Sequence, residues 1–217
     1  MKIQALVFLI FFYAKSSQAQ SYTEESLSVK SHKYLELDLA YGDEIEIKSW
    51  DKSEVKVEAQ FTINDGEDDD IFELKKGSSG ETLYFELVKE NWDKPVIPGN
   101  NTLCWKSEIH YTIYIPKGMS LHAKTISAGF TIRSFDGLIN LETISGDIDI
   151  TLREGEGFDF QAKTISGDIY SDLDIEYPKG KDGLRQMVGI DVFGRVNRGG
   201  EKLMLKTISG NIFLRRG

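Results

Sequence analysis

The chain has 217 residues, is 40 % hydrophobic and 28 % charged, and carries a formal net charge of -9. That composition excludes a disordered or collagen-like chain, and the acidic balance argues against a grip on nucleic-acid phosphates. One cysteine, Cys104, and three histidines exclude an intramolecular disulfide and a four-ligand Cys/His zinc site.

Residues 1–19 read as a secretory signal peptide: Lys2, an apolar run from Ala5 to Ala14, then a polar stretch closing on Ser17-Gln18-Ala19. The run is about half of the ~20 residues that span a bilayer, and no cysteine follows it to carry a lipid. Cleavage removes Lys2 and Lys15 from the 26 basic residues and leaves 24 against 35 acidic ones, net -11. The mature chain, 20–217, has no second apolar run of spanning length and is expected outside the cytoplasm, in the periplasm, at the cell surface or secreted. In that oxidising setting the lone Cys104 reads as a buried apolar filler.

The part before residue 117 is all strand and turn, but irregular. Apolar residues alternate at Leu35, Leu37 and Leu39, at Ile45 and Ile47, at Val55 and Val57, and at Phe61 and Ile63. NDGEDDD, from Asn64 to Asp70, reads as a solvated acidic loop. It lacks the spacing of an EF-hand loop, although five carboxylates could draw calcium or a cationic peptide. ETLYFELV (Glu81 to Val88) and SEIHYTIYIP (Ser107 to Pro116) are strands, separated by a long connection that holds Trp92, Cys104 and Trp105.

From residue 117 onward the chain repeats. KTISAGFTI begins at Lys124, ETISGDIDI at Glu142, KTISGDIYS at Lys163 and KTISGNIFL at Lys206. Side chains alternate faces along a strand. In the second copy Ile139, Leu141, Thr143 and Ser145 share one parity, and Ile148, Ile150 and Leu152 share the other. The inward face switches at Gly146-Asp147, and likewise at Gly167-Asp168 and Gly210-Asn211, so each copy is strand, corner, strand. Gly followed by Asp or Asn suits a corner with positive φ. Units of this length cannot bury an apolar face alone, whereas stacked copies share one core. The expected fold is all-β, a parallel β-solenoid with a less regular N-terminal region; a β-sandwich is the alternative. The wide interval between the third and fourth threonines, Thr164 and Thr207, is expected to hold one further coil near Met187 to Val196 that has lost the motif.

The T-I-S-G-D-I-x-I repeats, the opening G-D-E-I-E-I-K-S-W-D-K-S-E-V-K-V, Y-T-I-Y-I-P-K-G-M-S-L ahead of the first repeat and the closing FGRVNRGGEKLMLKTISGNIFLRR together resemble the bacterial putative-adhesin family, a β-repeat family of unknown function. The match runs from about Leu35 to the C-terminus. The resemblance implies an exported or surface-facing, adhesin-like β-repeat domain over 20–217, with no catalytic residues to carry across. The first repeat departs from the pattern, with Ala128-Gly129 in place of Gly-Asp.

Chemistry is sparse. His32, His110 and His122 stand in strand contexts without a nucleophile motif, and no enzyme, cofactor or metal is expected. Asp147, Asp168 and Asn211 could stack into an oxygen ladder, but corner side chains bonding their own backbone account for them. The isoleucines Ile126, Ile144, Ile165 and Ile208 face away from the threonines, and either tuck in at the corner or form an exposed aliphatic stripe. The expected role is non-enzymatic binding of an envelope or surface ligand, a glycan, a protein or a cationic peptide; the alternatives are an envelope-stress sensor that binds cationic peptides and a polysaccharide-active β-helix enzyme. Recognition is expected on the loops 64–70, 90–105 and 178–200, through Trp92, Trp105, Arg185, Arg195 and Arg198. The alternative role for the tryptophans is to cap the apolar end of the stack.

Overall fold

The computed structural model describes residues 20–92, 106–177 and 189–217. The chain is all-β: sixteen strands in two mixed eight-stranded sheets enclose one core, and no α-helix occurs among the described residues. Nor does any described helix have the length and apolarity to cross a membrane.

Five strand pairs have a tight corner between them: β2 (Tyr34–Asp38) and β3 (Glu44–Trp50), β8 (Ser120–Lys124) and β9 (Gly129–Arg133), β10 (Ile139–Glu142) and β11 (Ile148–Leu152), β12 (Phe158–Thr164) and β13 (Ile169–Ser171), β15 (Glu201–Lys206) and β16 (Ile212–Arg216). A sixth pair, β6 (Thr82–Leu87) and β7 (Ser107–Pro116), has the long connection where the others turn. The first strand of each pair joins one sheet, in the order β6-β2-β8-β10-β15-β12, and the second joins the other, in the order β7-β3-β9-β11-β16-β13. Every neighbouring pairing in both runs is parallel. Each pair is therefore one rung, and the rungs lie in the same order in both sheets.

That order is not the chain order. The rung built from the fourth repeat lies between those of the second and third, because β15 pairs with both β10 and β12, and β16 with both β11 and β13. At the other end β6 and β7 lie outside β2 and β3. The further coil expected near Met187 to Val196 does not exist in its described part: β14 (Ile190–Val196) runs antiparallel to β12 as an edge strand. Antiparallel strands close two of the other edges too, with β1 (Ser21–Ser28) and β4 (Glu54–Ile63) beyond β7, and β5 (Leu74–Ser79) beyond β6, while the parallel strand β13 forms the fourth edge. SYTEESLS and LKKGSS have little apolar alternation, so neither β1 nor β5 stands out in the sequence. Edge strands that bury few side chains have no need of it.

Like stacks on like in the core. Leu83, Leu35, Leu121, Ile139, Leu203 and Phe160 are register partners across one sheet, and Tyr111, Ile45, Phe130, Ile148, Ile212 and Ile169 across the other. Nearly all are buried, and each contributes about 1.5–3 kcal/mol. The inward set ends at the threonine of each repeat. Ser145, Ser166 and Ser209, expected inside, are exposed, because the chain leaves the strand at the threonine and turns there.

Candidate binding surfaces

The repeated corner is a buried hydrogen-bond column. Each threonine hydroxyl donates to a carbonyl of the adjacent rung: Thr125 to Ala40 (3.4 Å), Thr143 to Ala128 (3.1 Å), Thr207 to Gly146 (3.1 Å) and Thr164 to Gly210 (2.9 Å). The same hydroxyls accept from the backbone N–H three residues on, at Ala128, Gly146, Gly210 and Gly167. Four buried hydroxyls are thus satisfied in both capacities.

The glycines are required by close approach and not, as expected from the sequence, by positive φ. A Cβ on Gly146 would lie 1.8 Å from the Ala128 oxygen, on Gly210 1.9 Å from the Gly146 oxygen, and on Gly167 1.9 Å from the Gly210 oxygen. None of the three is among the positive-φ residues. Asp147 and Asn211 also bond the next rung rather than their own backbone. Asp147 Oδ1 accepts from Asn211 N (2.6 Å), and Asn211 Oδ1 accepts from Asp168 N (3.0 Å). One oxygen each of Asp147 and Asn211 is thus committed to structure, and among the described residues no group of three or more His, Cys, Asp or Glu is placed to hold a metal.

The second motif position faces water. Ile126, Ile144, Ile208 and Ile165 are 40, 43, 37 and 41 % exposed. On successive rungs about 4.8 Å apart they form an aliphatic ridge. Tucking inward, the other reading of these isoleucines, does not occur, since the buried threonine and glycine fill the corner.

The loop residues expected to bind a ligand divide. Trp105 and Arg185, with Cys104, lie outside the described residues, as do residues 1–19. Trp92 is 5 % exposed and packs against Tyr41, ring centroids 5.0 Å apart, at the corner of the β2/β3 rung. Arg195 is exposed and paired with Asp159 at 2.8 Å, which holds that carboxyl below the usual range. Arg198 is exposed on a turn with positive φ. In the acidic loop Asp69 accepts from Ile63 N (2.7 Å) and Ser21 Oγ (2.5 Å), so at least one of its carboxylates serves the fold.

A further site lies on the outer face of the β7/β3/β9 region. A groove of about 450 Å³ is lined by Trp50, Tyr114, Lys48, Lys117, Arg133 and Arg153, with Asp136 as its one carboxylate. Trp50 and Tyr114 stack with centroids 4.9 Å apart and planes at 29°. The indole Nε1 donates to Glu54 O at 2.8 Å, which fixes the ring. Lys52 Nζ lies 4.6 Å from the Trp50 centroid and Lys56 Nζ 4.7 Å from that of Tyr114. Lys48 is bonded to Glu46 at 2.7 Å, which holds its ammonium above the ordinary lysine value and keeps it charged. The sequence carries a signal for this site: in EIEIKSW the isoleucines point inward, so Glu44, Glu46, Lys48 and Trp50 share the outward parity.

No family model and no curated protein matches the chain. Solved structures match in fold. A putative cell adhesion protein from Clostridium sporogenes covers 91 % of this chain and 100 % of its own at 10 % identity, with a TM-score of 0.55. A putative adhesin from Bacteroides fragilis (7 % identity, covering 92 % of this chain and 99 % of its own, TM-score 0.32) and one from Parabacteroides distasonis (10 %, 91 % and 97 %, 0.31) are more distant. The likeness that counts is therefore one of architecture, between this all-β chain and the Clostridium sporogenes protein.

Proposed function

We propose that this is an exported, non-enzymatic, adhesin-like protein that binds an envelope or surface glycan through the Trp50–Tyr114 groove. Its six parallel rungs act as a short β-solenoid, in which the repeats supply rigidity and the irregular N-terminal part supplies recognition. The observation that carries this reading is the stacked, half-buried aromatic pair opening into a groove of ligand size. Aromatic faces and edges suit the C–H faces of sugar rings, and a fixed ring loses little entropy on binding.

The architecture shared with a putative cell adhesion protein supports the reading, and residues 1–19 supply the export signal. Saturable binding to immobilised polysaccharides, with reducing ends assayed in parallel, tests it. Binding without new reducing ends, lost in Trp50→Ala/Tyr114→Ala, is the expected result. Release of new ends, or full binding by the double variant, would count against it. Mass spectrometry of the native N-terminus tests the export: a chain beginning near Gln20 is expected, and an intact Met1 would contradict it.

A further inference from the structure

The protein is acidic overall, yet the wall of the groove beside the aromatic pair is mostly cationic. Of the charged side chains lining the groove, Lys48, Lys117, Arg133 and Arg153 are cations and only Asp136 is an anion. The carboxylates that pair with Lys48 and Lys117, those of Glu46 (2.7 Å) and Asp51 (2.8 Å), are not part of the groove wall. Arg153 is held in place by Asp136 and by Glu156 (2.9 Å). Arg133, exposed at the end of β9, is in no ion pair among the described residues and lines the groove. A guanidinium presents a planar fork of donors that matches a carboxylate or sulfate. The mixture of aromatic floor and cationic wall asks for a ligand with both an apolar face and a negative group.

We propose that the groove takes an anionic polysaccharide, a chain of sugar rings bearing carboxylate or sulfate groups, with the ring against Trp50 and Tyr114 and the negative group on Arg133. This deepens the glycan-binding reading and rests on it. The chain as a whole, net -9, repels such a polymer, so binding must come from local contacts and be sensitive to single cations in the groove.

The test is titration of the purified mature protein with polygalacturonate, dextran sulfate and uncharged dextran, in wild type and in Arg133→Gln. Arg133 supports no described ion pair, so the variant is expected to melt with wild type. The expected result is binding to at least one anionic polymer about ten-fold or more tighter than to dextran, weakened about ten-fold by Arg133→Gln. Polygalacturonate against dextran sulfate then separates carboxylate from sulfate recognition. Equal binding of dextran and the anionic polymers would overturn the anionic inference while leaving the glycan reading standing. Anionic binding that is unchanged in Arg133→Gln but lost in Trp50→Ala/Tyr114→Ala would do the same. Failure of all three polymers to bind would remove both.

Discussion

The repeat corner and the Trp50 groove are both built from strand ends, yet they spend their side chains in opposite ways. At the corner the threonines, Asp147 and Asn211 tie rung to rung: threonine hydroxyls bridge carbonyl and N–H, Asp147 and Asn211 bond their neighbours' backbone, and the glycines leave room for a carbonyl. In the groove the aromatic pair and Arg133 face outward. Regularity in this chain marks structure, because a side chain stacked on its own copies cannot vary without disturbing two neighbours. Substitutions at the two places are expected to differ accordingly.

The largest effect is expected from Ile148→Asp. Ile148 is fully buried between Phe130 and Ile212, and an unpaired carboxylate there costs on the order of 5 kcal/mol, enough to unfold a typical domain. Asp147→Ala, one residue away, removes a hydrogen bond to Asn211 N and is expected to cost about 1 kcal/mol. Equal thermal midpoints for the two variants would refute the assignment of inward and outward faces. Next comes Gly210→Ala, whose methyl would press on the Gly146 carbonyl and cost about 3 kcal/mol or more. Gly155→Ala is the control, because its Cβ meets nothing within 4 Å and only the positive φ resists it; about 1 kcal/mol is expected.

Thr207→Val keeps the shape but leaves Gly146 O and Gly210 N without the hydroxyl. Denaturant unfolding should show a loss of about 1–3 kcal/mol. A neutral result would mean that the column is packing alone. The smallest effect is at the exposed Asp159–Arg195 pair. Arg195 lowers the Asp159 pKa below its ordinary 3.8, so the pair's contribution is present above that value and disappears as pH falls through the lowered one. Asp159→Asn should therefore be slightly less stable than wild type near neutral pH, and the difference should close in strong acid. A gap that widens on acidification would reverse the sign.

Much of the core was legible because parity and repetition speak to the same faces: Ile139, Leu141, Thr143, Ile148 and Ile150 point inward as their spacing requires. Rung order was not legible, since the four motifs are so alike that nothing in them says whether the copy at Thr207 lies beyond the copy at Thr164 or inside it. Strand pairing decides that, and β14, running back along β12, lets the last rung enter between two earlier ones. The exposed ridge followed from an ambiguity of one residue in where the corner begins. The groove was the least visible feature, because Trp50, Tyr114 and Arg133 come from three strands far apart in the chain. Trp92, the loop aromatic that the sequence singles out, is buried against Tyr41.

The most direct measurement is side-by-side binding of the wild type, Trp50→Ala/Tyr114→Ala and Ile144→Ser/Ile208→Ser to a glycan array, each first shown to be folded by its thermal melt. The groove variant is expected to lose binding and the ridge variant to keep it. Binding lost from the ridge variant and kept by the groove variant would contradict this, and would place recognition on the repeats.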